Sequence, residues 1–576
     1  RNIVYNTSMH LVERHLKLTV QILLLAVFVI VPFVKIDTLY FPFVSGKAYI
    51  FRALVALALF FYIWLAVKEK SYRPNFKNTL VVSLLVFFVA QVIASLFGVD
   101  PVYSLFSSIE RADGVIQYGF WIVYFLMLTS VFREQRDWKI LFAVFLSIAL
   151  LLCAYSWFNY ESQSQLYGVF GNPAYFAAFL LFAIGFALLA FERKFFYPGP
   201  SHYALLAAAS LFLCTLIFTQ VRGVYVALAG GIFLFSLLST LFLRKQDKRL
   251  ALLGGGILLG GVLALALLFV FRDADFVKDT RLLYRVTEVT QLGDSSSVRE
   301  RLLNWSIVWK AFKERPLLGY GPENFAVAAN RYYDYRIGKG EPWFDRAHNQ
   351  ALDTLATGGI VVFSAYLFWI LAVAFLIFKI VKREKVLGFL LASLFLAYFV
   401  QGFFLFDLLA VYLGLFPFLA FLIHEEQKVK SKEQREEPAF VPLRGTTAGK
   451  QTLKYLPTGG LPQGDKLSTR NYLVLVPVAL FSAAIIYFTS IVPWQANTTA
   501  LRFYFYTELE LYGKSIEFLQ NAFSIRSPYT YWEVRKRAGW QFVQALEYKV
   551  SEKTNAEKIE ELRSIYDSIT PELERF

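Results

Sequence analysis

Long apolar runs recur along almost the whole chain, and they leave few folds open to it. Each run of about 18–22 residues is long enough to cross a hydrocarbon core of roughly 30 Å as a helix. Apolar residues make up 57% of the 576, and the mean hydropathy is +0.48, far outside the soluble range. The first run, Leu18–Val34, lacks a small-residue cleavage site and is followed by many others, so it reads as a retained helix rather than a leader. The chain is therefore expected to be an all-α, polytopic membrane helical bundle.

Spans fall near 18–34, 48–67, 79–97, 116–132, 140–157, 174–191, 203–219, 224–243, 250–271, 360–379, 386–402, 405–423 and 471–490, about 13 in all. Alternate loops are basic: Lys68, Lys70, Arg73 and Lys77, then Arg133, Arg136 and Lys139, then Arg193 and Lys194. Arg244, Lys245, Lys248 and Arg249 continue the series, followed by Lys382, Arg383 and Lys385. The intervening loops are poor in basic residues or acidic, as at Asp100, Glu110 and Asp113. By the positive-inside rule the N-terminus is cytoplasmic and the C-terminus extracytoplasmic. In a soluble chain the net charge of +15 would suit nucleic acid, but here it reports orientation, and no nucleic-acid partner is expected. Cys153 and Cys214 lie inside predicted spans and form no metal or disulfide pattern.

This frame divides the chain into four parts. Residues 1–423 form a twelve-span membrane domain that includes a large outward loop, 272–358, with short helices in it. Residues 424–470 read as a flexible cytoplasmic linker, 471–494 as the thirteenth span, and 495–576 as a small extracytoplasmic helical appendage. Within the appendage, Tyr512-Gly513, Ala522 and Pro528 resemble the second helix of a tetratricopeptide repeat, with a simple helical hairpin as the alternative.

The outward loop ends Trp343-Phe344-Asp345-Arg346-Ala347-His348-Asn349, and His348 is the one histidine of five assigned to the outer side. An imidazole titrates near neutral pH, so an isolated one beside cations is a candidate general base. The competing reading is a satisfied core histidine on a helix capped by Asp345, with Leu352 and Leu355 on the same face. Upstream, Ser297-Val298-Arg299-Glu300 fits a capping box for a helix that Pro316 stops. On that helix Leu302, Trp305, Val308, Trp309 and Phe312 make an apolar arc containing Arg301. A buried arginine needs a partner, either a structural carboxylate or a bound anion. Gly319-Tyr320-Gly321-Pro322 predicts a tight turn, and Gly358-Gly359 an interruption before the next span.

Other outward cations are Arg222 in Thr219-Gln220-Val221-Arg222-Gly223, Arg111 in Glu110-Arg111-Ala112-Asp113-Gly114, and Arg52 just inside the second span. Arg222 and Arg301 are the preferred anion-binding pair. Arg52, Arg111 and Arg346 either join them or anchor loops.

The order Arg222-Gly223, Arg301-x-x-x-Trp305, Gly319-Tyr320-Gly321, His348-Asn349 and Gly358-Gly359 resembles the O-antigen ligase and O-antigen polymerase superfamily. Gly171-Asn172-Pro173 and Glu110-Arg111-x-x-Gly114 add to the likeness, which covers roughly residues 18–424. Val221 departs from it, since the family turn often has serine there.

The resemblance implies an inverting, metal-independent glycosyltransferase of the bacterial cytoplasmic (inner) membrane, with no cofactor. Its donor would be an undecaprenyl-pyrophosphate-linked glycan, with His348 as base and Arg222 and Arg301 on the pyrophosphate. Arg111, Arg52 and Arg346 would assist at the donor, and Asn349 and Trp305 would support the site. The acceptor would be a hydroxyl on lipid A core, on another glycan or on protein, with the ligase reaction favoured. The residues agree with this chemistry: arginine forks bind developing phosphate charge bidentately and stay protonated. Asp273-Ala274-Asp275 is the one metal-like triplet in the loop and lies far in sequence from His348. A lipid-linked glycan flippase or transporter is the competitor from another class. It would spread its polar groups along the spans rather than gather them in outward loops.

Overall fold

The computed structural model describes residues 2–161, 165–279, 296–334, 336, 344–436, 469–509, 511–531 and 533–534. All regular structure among them is helical. Among the described residues eleven helices are long and apolar enough to cross a membrane, and Val115–Val131 and Lys385–Gln401 are shorter apolar ones. Each apolar run marked in the sequence coincides with one of these helices.

Local chemistry starts several of them. The Asn78 side chain accepts from Leu80 N at 3.0 Å and opens Thr79–Leu96. Asn172 accepts from Ala174 N at 2.8 Å, with Pro173 in the first helical position of Pro173–Glu192. Asp100 does the same for Pro101–Phe106. At the centre, Trp121 stacks on Phe416 with centroids 5.4 Å apart, and on Phe51 at 3.9 Å. The Leu409–Lys428 stretch is the most buried of the eleven candidates at 89%, so the bundle is wrapped around it.

Side-chain contacts sort the loops into two ends. At one, Arg193 pairs with Glu384 and Glu425, and Lys17 with Asp137 at 3.2 Å. At the other, Arg111 meets Asp345 at 2.6 Å and the Ser107 hydroxyl donates to Glu323 at 2.6 Å. His348 lies at this second end.

Two helix breaks shape that end. Gln350–Val381 is one long helix with a non-helical residue, Gly359, at φ 61°. The break leaves Ile360 N and Val361 N without helical partners, and they donate to Pro316 O (2.8 Å) and Leu317 O (3.2 Å). In return Gly321 N donates to Thr357 O at 2.7 Å. The two glycine motifs of the sequence thus meet backbone to backbone: the Tyr320 and Gly321 amides donate to this helix and the Gly319 amide to Arg315 O, so none faces an open anion site.

Pro493 makes the other break. It has no N–H for the carbonyl four residues back, Thr489 O, and the helix widens to a π turn at Tyr487–Ile491. Arg52 Nη1 donates to that orphaned carbonyl at 3.0 Å.

Several expectations change. The helix beginning at Leu409 runs to Glu436, so the segment after residue 423 starts as helix; the linker's 437–468 lie outside the described residues. The helix of the last span extends past 494, with the π turn inside the Leu475–Glu508 stretch. Asn349, not Asp345, caps the helix after His348, accepting from Leu352 N at 3.1 Å. Asp345 is instead drawn to Arg111. The side chain of Ser297 lies outside the described residues, as do Trp343 and the appendage from 535 onward.

The appendage packs onto the loop that carries Arg111. Asn497, fully buried, accepts from Tyr40 N at 2.7 Å and donates to Ile109 O at 2.9 Å and Ser45 Oγ at 3.3 Å. Tyr529 OH donates to Phe106 O at 3.1 Å, and Glu533 accepts from Ile109 N.

Candidate active site

His348 is held in the left-handed region, at φ 52°, one residue before the helix cap. That conformation is rare for a residue with a Cβ and persists only where surroundings impose it. They do so here from two sides. Asn304 Nδ2 donates to Arg346 O at 3.0 Å and Trp305 Nε1 to Ala347 O at 3.2 Å, both from the Ser296–Glu314 helix. From the C-terminal side, Asp353 Oδ1 accepts from Ala347 N at 2.8 Å.

The imidazole Nδ1 lies 3.2 Å from Arg346 O. A carbonyl can only accept, so the neutral ring carries its proton on Nδ1 and presents Nε2 as the basic nitrogen. The ring stands edge-on between Phe344 (5.5 Å) and Phe406 (5.6 Å).

Phe406 gathers the cations. The guanidiniums of Arg111 and Arg346 lie over its ring at 4.9 and 5.3 Å, beside the His348 contact. Two residues earlier, Phe404 lies 5.8 Å from the Arg301 guanidinium and packs against Gly223, where an added Cβ would sit 2.5 Å from Phe404 Cβ. Arg222 opens the Arg222–Phe242 helix next to that glycine. One short segment, 402–408, therefore lies against Arg111, Arg346, Arg301 and the glycine that follows Arg222.

The arginines differ in what already holds them. Arg346 bonds Glu323 and Asp353 (3.3 Å), and Arg111 bonds Asp345. Arg52 is fully buried, with its guanidinium directed to Gln117 Oε1 (2.6 Å), Thr489 O and Ala112 O.

Below His348 lies a cavity of about 70 Å³ lined by Asp113, Glu323, Arg346, Gln350, Asp353 and Asp407, among others. Burial pushes the Asp113 carboxyl up to about 8, and Glu323, close by, raises it further. Burial also lifts Glu323, against the pull of Arg346. Burial takes Asp407 to about 7, where Tyr398 OH donates to it at 2.7 Å. The Asp407 backbone N–H in turn donates to Gln350 Oε1 at 2.8 Å.

The apolar arc expected on the Arg301 helix is rotated. Asn304, Ile307, Val308 and Ala311 are buried, while Leu302 and Trp309 are more than half exposed. Asn304 wins the inner face because it satisfies a carbonyl of the His348 segment. Phe404, Phe406, Asp407, Glu323, Asp353 and Asn304 were not singled out from sequence. The available signal was an acidic residue, Asp407, inside an apolar run. Asp273 stays outside this region, paired with Arg272 at 3.2 Å.

Residues 207–367 match a family model described as O-antigen ligase. A search of curated proteins finds no match. The matched stretch contains Arg222, Arg301, Trp305, Arg346, His348 and Asn349, and leaves out Arg52, Arg111 and the Phe404–Asp407 segment.

Proposed function

We propose, from the premise that residues 207–367 form an O-antigen ligase domain, that this protein is an inverting glycosyltransferase. It moves a glycan from undecaprenyl pyrophosphate to a hydroxyl acceptor on the outer face of the cytoplasmic membrane. The observation that carries this reading is the meeting of His348, Arg111 and Arg346 around Phe406, with Arg301 and the Arg222-Gly223 turn at Phe404.

In the reaction, the acceptor oxygen forms a bond to the anomeric carbon as the bond from that carbon to the pyrophosphate oxygen breaks. The leaving pyrophosphate takes the electron pair, and the acceptor proton passes to His348 Nε2. Arg222 and Arg301 bind the pyrophosphate, whose charge grows as the bond breaks. Arg111 and Arg346, held by carboxylates, orient the His348 segment and add to the positive field. Asn349 and Trp305 fix the backbone on either side of the base. No step calls for a metal, since the guanidiniums take the role a divalent ion serves elsewhere. The basic loops opposite His348 support a cytoplasmic position for that end and for the N-terminus.

The test is transfer by purified protein from a lipid-pyrophosphate glycan, in excess chelator, to lipid A core, lipid-linked glycan or protein in parallel. Transfer to lipid A core is expected, and its loss in His348→Ala protein that stays folded. Chelator-sensitive activity rescued by magnesium overturns the metal-free mechanism. Movement of a fluorescent lipid-linked glycan across vesicles, without transfer, replaces the enzyme with a flippase.

A further inference from the structure

The end of the bundle opposite His348 holds a cavity of about 270 Å³ that the proposed reaction does not use. It lies between the loop after Ser45–Lys68, the start of Thr79–Leu96, the end of Val115–Val131 and the polar part of Leu409–Glu436. Arg73 and Arg133 line it with Ser71, Asn75, Asn78 and Gln427, and none of the described residues lining it is acidic. Orientation in the membrane explains why cations gather at this end, but not how they are arranged.

Each guanidinium is engaged by one backbone carbonyl. Arg73 Nε donates to Ala66 O at 3.2 Å, and Arg133 Nη2 to Ser71 O. Neither meets a carboxylate within ion-pair distance among the described residues. A guanidinium has five N–H donors, so most of them are left for another acceptor. Arg133 also lies 4.6 Å from the Tyr72 ring centroid. That ring is fixed in turn: Tyr72 O accepts from Tyr62 OH at 2.8 Å, and its hydroxyl donates to Glu13 at 3.3 Å.

The amides add donors rather than acceptors. Asn75 Oδ1 accepts from Lys77 N at 3.1 Å, and Asn78 Oδ1 from Leu80 N at 3.0 Å. With their oxygens taken by backbone, both side chains keep their NH2 ends for the pocket. Height in the membrane then names the ligand. Thr79 begins an 18-residue span and Val115–Val131 ends beside it, so the pocket lies where two apolar helices leave the hydrocarbon. Phe76, Val82, Val86 and Val89 are exposed next to it, as on a face turned to lipid.

We infer that Arg73 and Arg133, with the Asn75 and Asn78 amides, form a phosphate-binding site on the cytoplasmic side, filled by the headgroup of an anionic phospholipid of the inner leaflet. Guanidinium forks match phosphate oxygens bidentately, and basic pockets between spans on this side suit anionic headgroups. The site does not depend on the glycan donor, whose proposed place is at the other end.

Thermal unfolding of the full chain in phosphatidylcholine nanodiscs, with rising fractions of phosphatidylglycerol, tests this. The melting temperature should rise and saturate. Arg73→Gln and Arg133→Gln should each need at least fivefold more phosphatidylglycerol for half the effect. Arg244, whose Nε donates to Thr240 O, is a basic-loop cation outside the pocket, and Arg244→Gln should leave the half-point unchanged. An equal loss in Arg244→Gln reduces the effect to diffuse charge and overturns the site. Without anionic lipid both pocket variants should melt no lower than wild type, since each removes one of two like charges. A lower melting temperature there makes the arginine structural and overturns its place in the site. Inorganic phosphate, run in parallel, decides the source: an arginine-dependent shift as large as the lipid's keeps the site and overturns the headgroup. No shift with either ligand overturns the proposal.

Discussion

Arg111 Nη1 lies 2.6 Å from Asp345 Oδ2, joining the loop before the Val115–Val131 helix to the segment that ends in His348. The side chains are only 20% and 24% exposed, and the cost of desolvating both charges offsets much of their attraction. Its effect is on placement. Arg111→Ala and Asp345→Ala should each slow transfer about tenfold, equal to about 1.4 kcal/mol of barrier. The double variant should be no slower than either single one, because both remove the same contact. Additive losses in steady-state kinetics would show that the two act separately.

Phe406 supports His348, Arg111 and Arg346 on one ring. Phe406→Leu keeps an apolar side chain but removes the π face, worth about 0.5–2 kcal/mol per cation. A five- to thirtyfold fall in turnover, about 1–2 kcal/mol, is expected with little change in melting temperature. Unaltered kinetics would reduce the ring to packing.

Gly359 has φ 61°, and a Cβ there would lie 2.4 Å from the Leu317 carbonyl carbon. Gly359→Ala should therefore separate the 316–321 turn from the helix break and cost about 2 kcal/mol or more. A fall in monodisperse yield and melting temperature is expected; a variant as stable as wild type would refute the backbone pairing.

Asp113 makes stability depend on pH. Its folded pKa is raised to about 8 from an ordinary value of 3.8, so the folded state holds the proton more tightly than the unfolded one. Its stabilisation is complete below the unfolded value and is lost as pH rises through about 8. The slope has a ceiling of about 1.4 kcal/mol per pH unit. Melting temperatures measured from pH 5 to 9 should fall less steeply for Asp113→Asn than for wild type, and parallel profiles would contradict the shift.

Asn497→Ala leaves Tyr40 N and Ile109 O unsatisfied in a buried place, each at about 1–3 kcal/mol. Lower stability should be accompanied by slower transfer, because Ile109 is two residues from Arg111. Loss of stability with full activity would detach the appendage from the site.

The sequence made the bundle legible because hydrocarbon thickness imposes a length on every span. His348 and the arginines stood out because charge is scarce in such a chain. What it concealed were relationships among residues of ordinary appearance. Phe404 and Phe406 look like any span residues, and only the loop between Lys385–Gln401 and Leu409–Glu436 turns them towards the cations. The partner of Arg52 was hidden because nothing local shows that Thr489 O, more than 400 residues away, accepts from its guanidinium. The inner face of the Arg301 helix was misread because Asn304, a polar residue, is buried for the carbonyl it satisfies.

Asn497, Tyr529 and Glu533 brace the Arg111 loop from the far end of the chain. During synthesis the ribosome makes them after every segment that bears His348 or an arginine of the site has entered the bilayer. A nascent chain thus carries His348 and the arginines around it before the residues that brace the Arg111 loop have been made.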